Sequence, residues 1–134
     1  MKRHTCFLLA SLPLLTIASA PQAQQPSITW SPSRIERSVR CGVIVYEDAS
    51  FWSSDNLTNV VLEVEPSAES PALGPFVTLV PNSFATVSAG AANDFSVRIS
   101  APLNCPGGVI YRGAVHLRMG KKMLSAPLEL ALRF

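Results

Sequence analysis

Short apolar runs, separated by clusters of Pro, Gly, Ser and Asn, follow one another along the chain from residue 28 onwards. Between Val39 and Val45 every second residue is valine or cysteine, which is the period of a strand with one buried face. No segment keeps a 3.6-residue period long enough for a helix. The pattern predicts strands over the following stretches: residues 28–30, 39–45, 60–64, 76–80, 84–87, 95–99, 109–119 and 124–132.

Two pairs of these strands have the signature of hairpins. A Ser88-Ala89-Gly90 turn separates one pair, and Gly120-Lys121-Lys122 separates the last two strands. About seven short strands with a turn signal every ~8–12 residues are typical of a β-sandwich. Because no crossover helices are predicted, a parallel α/β fold is excluded. We therefore predict an all-β fold, a single β-sandwich of about seven strands.

The first residues have the layout of a secretory signal peptide. Lys2 and Arg3 precede an apolar stretch over residues 5–17, and the small residues 18–20 follow. A transmembrane helix needs about 20 apolar residues, whereas this stretch is shorter and contains Pro13. We predict a cleaved leader at residues 1–20, a polar lead-in at 21–27 and one domain at 28–134. The mature protein would be periplasmic or secreted, with no stable membrane span after cleavage.

Removal of the predicted leader changes the net charge of the domain, on which any attraction to nucleic acid depends. The whole chain has 11 Lys and Arg residues against 9 Asp and Glu residues, which gives a formal net charge of +2. Lys2 and Arg3 leave with the leader, so nine basic residues then face nine acidic ones. A neutral domain has no electrostatic footprint for nucleic acid. We therefore expect no nucleic-acid partner.

The cysteine count points to one disulfide. Of the three cysteines, Cys6 leaves with the leader, so Cys41 and Cys105 alone reach an oxidising compartment. Cys41 lies on the inward phase of the predicted strand 39–45, and Cys105 precedes the strand that contains Tyr111. We predict a Cys41–Cys105 disulfide near one end of the sandwich. The alternative is two separate buried thiols that pack as small apolar residues.

Three segments carry a family resemblance: Leu57-Thr58-Asn59-Val60, Pro81-Asn82-Ser83-Phe84-Ala85-Thr86-Val87, and the run from Pro106-Gly107-Gly108 through Tyr111-Arg112-Gly113 to Arg118. With these segments the chain resembles the immunoglobulin-like or fibronectin-type-III-like modules of bacterial secreted and surface proteins. The resemblance implies an immunoglobulin-like β-sandwich. It also implies structural roles for two residues: Tyr111 would be a buried corner tyrosine whose hydroxyl bonds to the backbone, and Gly113 would keep its strand close to a neighbour.

Catalytic chemistry has few candidates in this sequence. His116 is the one histidine beyond the leader, and a triad would need Cys41 or Cys105 as nucleophile with Asp94 or Glu129 as orienting carboxylate. His116 occupies an outward strand position, and cysteines of exported domains usually pair. We therefore predict no catalytic residues and no enzymatic activity.

A copper site is an alternative near the last hairpin. His116, Met119 and Met123 lie close together in sequence, and imidazole and thioether ligands suit copper. Side chains alternate along a strand, however, so His116 and Met119 should point to opposite faces. An acid-rich middle of the chain lacks the loop spacing of a calcium site. We predict no metal and no cofactor.

Ligand binding without catalysis is the remaining class of function. Trp30, Phe51, Trp52 and the polar bend at residues 50–55 could offer aromatic faces to a sugar, although sandwich tryptophans usually pack in the core. With His116 they are the candidate binding residues.

We predict an exported, non-enzymatic module that binds a protein or glycan at the cell envelope. The alternatives are a periplasmic copper carrier or a small outer-membrane β-barrel. The alternating apolar residues and terminal Phe of residues 128–134 motivate the barrel.

Overall fold

A computed structural model of the chain describes residues 25–105 and 107–134, so the predicted leader at residues 1–20 lies outside the described residues. None of the described helices has the length and apolar character needed to cross a membrane. A single short 3₁₀ helix is described, at Pro71–Phe76. The strands are β1 Ile28–Ser31, β2 Arg34–Ser38, β3 Ile44–Ser53, β4 Leu57–Pro66, β5 Val77–Val80, β6 Ser83–Val87, β7 Asn93–Ser100, β8 Ile110–Met119 and β9 Lys122–Arg133.

These strands form two separate open sheets. One has four strands in the order β1-β3-β7-β5, and the other has five in the order β2-β9-β8-β4-β6. The described strand pairs are antiparallel except for β2 and β9, which run parallel. Buried residues from both sheets form one core between them. The predicted all-β sandwich is confirmed, with nine strands where the sequence indicated about seven.

The start of the chain contributes to both sheets. β1 pairs with β3, and after Ser31-Pro32-Ser33 the chain crosses to the other sheet, where β2 pairs with β9. The sequence did not reveal β2, because Ile35 is its one buried residue and its other four are exposed. An edge strand with a single inward side chain has too little apolar alternation to be recognised.

The strand predicted for residues 39–45 is wrong in its position. β3 begins at Ile44, and the preceding residues form a turn in which the Val43 amide donates to the carbonyl of Arg40 at 3.0 Å. Gly42 has a φ of 75°, a left-handed conformation that interrupts an extended strand. Val39 is buried, whereas Cys41 is exposed. The alternation in this segment therefore belongs to a turn that carries the chain between the sheets.

One of the two predicted hairpins is wrong and the other is confirmed. β6 pairs with β4 in the five-stranded sheet, whereas β7 pairs with β3 and β5 in the four-stranded sheet. The turn at residues 88–90 therefore connects the sheets instead of closing a hairpin. β8 and β9 do form a hairpin around Gly120, whose φ of 63° suits glycine in a tight turn.

A disulfide closes the end of the sandwich at which β3 begins. Cys41 in the β2–β3 turn is bonded to Cys105 in the β7–β8 loop, with their Cα atoms 5.8 Å apart. Two backbone hydrogen bonds join the same segments, from Gly42 to Pro102 and from Ala101 to Val43, each 3.0 Å long. The structure thus contains the predicted bridge at one end of the sandwich. Cys41 itself is exposed and lies in a turn, not on the inward face of a strand.

Gly113 lies where the chain packs most closely. A Cβ atom at this position would lie 2.7 Å from the carbonyl oxygen of Glu65 in the neighbouring strand and in collision with Leu73. Leu73 belongs to the 3₁₀ helix and is completely buried. Glycine at position 113 therefore lets the helix insert a core residue against β8, which agrees with the close approach that the resemblance implied.

Candidate functional site

The outer face of the four-stranded sheet carries a groove of about 470 Å³. In β3, Ala49, Phe51 and Ser53 point into the core, so the residues between them point outwards. Four strands contribute to the groove. The outward-facing residues that line it are Ser31, Asp48, Ser50, Val80, Asp94 and Ser96. Its volume lies within the ~300–1,000 Å³ that is usual for small-molecule sites.

Two serine–aspartate pairs form the floor of this groove. Ser50 lies directly opposite Asp94 across the β3–β7 pairing, and Asp48 lies directly opposite Ser96. The Ser50 hydroxyl donates to Oδ1 of Asp94, and the Ser96 hydroxyl donates to Oδ1 of Asp48 at 3.2 Å. Each carboxylate is thus oriented by a serine on the adjacent strand through a single oxygen. A carboxylate has several acceptor positions, so each Asp retains the capacity to accept hydrogen bonds from a ligand.

Large side chains border the groove along β3. Tyr46 and Trp52 have the same outward phase as Asp48 and Ser50 and stand on either side of them. Tyr46 is 62% exposed, and Trp52 is partly exposed. Arg98 lies directly opposite Tyr46 on β7. The groove itself therefore offers hydroxyl groups and two carboxylates, and two aromatic rings and one guanidinium group lie beyond its lining on the same face.

The candidate aromatic residues from the sequence divide between this face and the core. Trp30 is 7% exposed and Phe51 is completely buried, and their ring centroids lie 5.6 Å apart. The indole nitrogen of Trp30 donates to the carbonyl oxygen of Ala126 at 2.6 Å, which links β1 to β9 in the opposite sheet. These two rings therefore stabilise the sandwich and offer no face to a ligand. Of the three aromatic candidates, Trp52 alone reaches the outer surface.

His116 lies on the other outer face of the molecule. Its Nε2 atom is 2.8 Å from Oε2 of Glu65, and its strand neighbours Val115 and Leu117 are buried. Met119 packs against the core, whereas Met123 is 43% exposed. The structure therefore does not bring His116, Met119 and Met123 together as a copper site would require.

The cysteine–histidine triad and a metal-binding cluster are likewise not assembled in the described ranges. The sulfur atoms of Cys41 and Cys105 are bonded to each other, so neither is a thiol nucleophile beside His116. Across residues 25–105 and 107–134, no three His, Cys, Asp or Glu side chains are arranged so that they could hold a metal ion.

Tyr111 belongs to an aromatic cluster that packs against the core. Its ring contacts Phe76 and Phe134, with centroid distances of 5.7 and 5.1 Å, and all three rings pack against the end of the core. The hydrogen bonds found among the described residues do not include one from the Tyr111 hydroxyl to the backbone. Aromatic packing, rather than the corner hydrogen bond that the resemblance implied, therefore holds this residue.

Sequence reasoning missed most of the groove. In the sequence, Asp48 belongs to the acid-rich middle of the chain, and Asp94 is a candidate only for the orienting carboxylate of a triad. Alternation within β3 could have placed Tyr46, Asp48 and Trp52 on one face. The pairing of β3 with β7, which brings Asp94 beside Ser50, joins residues 44 positions apart and leaves no local signal.

The outer face of the five-stranded sheet has a different chemistry. It carries a groove of about 410 Å³, with Gly113 and Ala114 among its lining residues. Three basic side chains on this face each contact a glutamate: Arg34 contacts Glu36, His116 contacts Glu65 and Arg118 contacts Glu63. Arg112 and Glu129, which also line this groove, are in none of the ion pairs found among the described residues. The groove on the four-stranded sheet differs because its two carboxylates are held by neutral serines, and for this reason it is our candidate for ligand binding.

Comparison with known proteins supports the fold and goes no further. No protein-family model matches the chain, and no curated protein matches it by sequence. A family 123 glycoside hydrolase from Clostridium perfringens, studied for glycolipid glycan hydrolysis, superposes with a TM-score of 0.60 at 10% identity, over 82% of this chain and 27% of the hydrolase. The periplasmic chaperone SfaE superposes with a TM-score of 0.55 at 14% identity, over 79% of this chain and 57% of the chaperone.

This chain thus spans about a quarter of the hydrolase and somewhat more than half of the chaperone. At these identities the likeness establishes a shared β-sandwich architecture and leaves activity open. The structural neighbours include a chaperone of the immunoglobulin-like class, in agreement with the predicted fold class.

Proposed function

We propose that the chain is an exported, non-enzymatic binding module of the cell envelope or extracellular space, and that it recognises its partner through the groove on the four-stranded sheet. The single observation that supports this most directly is the pair of serine–aspartate contacts on the floor of that groove. They hold two exposed carboxylates in fixed positions on a rigid sheet. Fixed polar groups on a rigid scaffold give a binding site its specificity.

Two further observations agree with a binding role. The Cys41–Cys105 disulfide suits an oxidising compartment. His116 contacts Glu65, and the two described cysteines are bonded to each other, so the cysteine–histidine pairing that a triad would need is not assembled.

A pair of groove-filling variants tests the proposal. Ser96→Gln places a longer, uncharged side chain on the floor of the groove in the four-stranded sheet. Ala114→Gln makes the matched change in the groove of the five-stranded sheet. The mature, disulfide-bonded protein is immobilised and used to capture partners from envelope extracts. We expect Ser96→Gln to reduce capture at least tenfold and Ala114→Gln to leave it unchanged.

The reverse ranking of these two variants would place the binding surface on the other sheet. Hydrolytic turnover by the purified protein that disappears in His116→Ala would contradict the non-enzymatic role altogether. Circular dichroism and the melting temperature of each variant establish that a loss of capture is not a loss of fold.

A further inference from the structure

The groove on the four-stranded sheet has a polar floor, and an aromatic residue follows it in each direction along the outer face of β3. Its floor consists of two adjacent rows across β3 and β7, with Ser50 beside Asp94 in one row and Asp48 beside Ser96 in the next. The next outward residues along β3 are Tyr46 on one side and Trp52 on the other. A ligand lying along β3 would meet an aromatic ring, then a polar stretch, then a second ring.

The floor has the hydrogen-bonding capacity that sugar hydroxyl groups require. An ionised carboxylate accepts hydrogen bonds through two oxygens, and the contacts with serine occupy Oδ1 of each Asp. The serine oxygens can accept a further hydrogen bond from a ligand. Neighbouring hydroxyl groups on a sugar ring both donate and accept, so they can bond to a carboxylate oxygen and a serine oxygen at once. The ligand class that fits this floor is a polyol.

Tyr46 and Trp52 add the surface on which the apolar face of a sugar ring can stack. Their rings lie six residues apart on one strand, which corresponds to about 20 Å at ~3.3 Å per residue. A single sugar cannot contact both rings. The spacing therefore requires several sugar units in line, with the central ones over Asp48 and Ser50.

Charge excludes two other ligand classes. Two carboxylates, Asp48 and Asp94, face a single guanidinium group in this region, that of Arg98, so an anionic ligand would be repelled. The exposed apolar side chains of the lining, Val80 and Pro81, lie at the β5 edge, whereas Asp48 and Asp94 occupy its centre over β3 and β7. The core of a protein–protein interface is depleted of charged residues, in contrast to this floor.

We infer that the groove binds a neutral oligosaccharide of several sugar units, which lies along β3 and stacks on Tyr46 and Trp52 while Asp48 and Asp94 accept its hydroxyl hydrogen bonds. This inference rests on the proposed function, because it names the ligand of the same groove. Stacking and hydrogen bonding are independent contributions, so the two kinds of residue can be tested separately.

The experiment measures binding of the mature, disulfide-bonded protein to an array of neutral bacterial and plant oligosaccharides from two to six sugar units long. Affinity for the recognised glycan is expected to rise with length beyond the disaccharide. Trp52→Ala and Tyr46→Ala should each weaken binding about tenfold or more, since aromatic anchors dominate binding surfaces. Tyr46→Phe keeps the ring and should retain most of the affinity. Asp94→Asn should weaken binding with the stacking residues intact, and Arg118→Ala on the opposite sheet should have no effect.

Several results would overturn the inference. The inference fails if no neutral glycan binds at millimolar concentration, or if the protein prefers acidic polysaccharides. It also fails if neither Trp52→Ala nor Tyr46→Ala changes the affinity. If groove variants abolish capture of an envelope protein while no glycan binds, the proposed function stands and the glycan inference fails. If neither glycan nor protein binding depends on the groove, both fail. Melting temperatures close to that of the unmodified protein establish that each variant is folded.

Discussion

The two outer faces of this sandwich are built on similar sheets and differ in how their polar groups are satisfied. On the five-stranded sheet, Arg34, His116 and Arg118 each contact a glutamate. On the four-stranded sheet, each aspartate is held by a serine and retains acceptor capacity. A carboxylate that contacts a neutral serine keeps its charge available to a ligand, whereas a carboxylate in an ion pair shares it with a basic side chain. The difference teaches that charged residues alone do not identify a site, because their partners decide whether they are free to bind.

The largest expected effect concerns the scaffold that both faces share. The Cys41–Cys105 bridge joins the β2–β3 turn to the β7–β8 loop, and each of these segments connects one sheet to the other. For a sequence separation of 64 residues, the chain-entropy model gives a stabilisation of about 4 kcal/mol. Reduction, or the double variant Cys41→Ser/Cys105→Ser, should lower the free energy of unfolding by about that amount in urea titrations.

Such a loss should destabilise both sheets together, because the bridge joins segments that connect them. The melting temperature should fall, and binding at the proposed groove should fall only as far as the unfolded fraction rises, because the chain-entropy effect acts on the unfolded chain. Mass spectrometry of the non-reduced protein provides the control. Two alkylatable thiols in the folded protein would contradict the bridge.

A second prediction separates the two sheets. Gly113→Ala places a Cβ atom 2.7 Å from the Glu65 carbonyl oxygen, so β8 or β4 must move. Overpacking of this kind costs about 1–3 kcal/mol. Gly107→Ala is the matched control, because no atom lies within 4 Å of its added Cβ. It should change stability by less than about 0.5 kcal/mol.

Because Gly113 belongs to the five-stranded sheet, Gly113→Ala should leave ligand affinity at the other face unchanged while the protein remains folded. Urea denaturation and a binding titration on the same preparations measure the two quantities. Equal stability of the two glycine variants would show that the close approach of β4 and β8 is not a constraint.

The smallest expected effect distinguishes the polar pairs of the two faces directly. The side chains of Arg118 and Glu63 are 41% and 34% exposed, and Nη2 lies 2.6 Å from Oε1. Exposed ion pairs contribute about 0.2–1 kcal/mol and are screened by salt. A double-mutant cycle on Arg118 and Glu63 should give a coupling in this range that vanishes in 1 M NaCl. The corresponding cycle on Ser96 and Asp48 should change little with salt, since the serine is uncharged. Equal salt dependence in both cycles would remove the distinction between the faces.

The sequence determined the fold class of this chain because sandwich strands have local signals. Alternation identified β8 and β9 and the hairpin between them, and the count of cysteines beyond the predicted leader pointed to the pair that the structure joins. These features depend on the period of apolar residues, on the turn residues and on the composition, all of which can be read from residues that are close together in the sequence. The same local reasoning placed a strand at residues 39–45, because alternation of apolar residues also arises in a turn that passes the edge of the core.

Only the tertiary structure decided which residues meet. The pairing of β3 with β7 aligns Asp48 with Ser96 and Asp94 with Ser50. The packing of this sheet on the core buries Trp30 and Phe51 and leaves Trp52 facing outwards. Likewise, the placement of β6 in the five-stranded sheet and β7 in the four-stranded sheet cannot be distinguished from a hairpin by the turn residues between them. Local sequence sets the period of each strand. The partners of a strand, and therefore the candidate site, depend on long-range packing that requires the whole core.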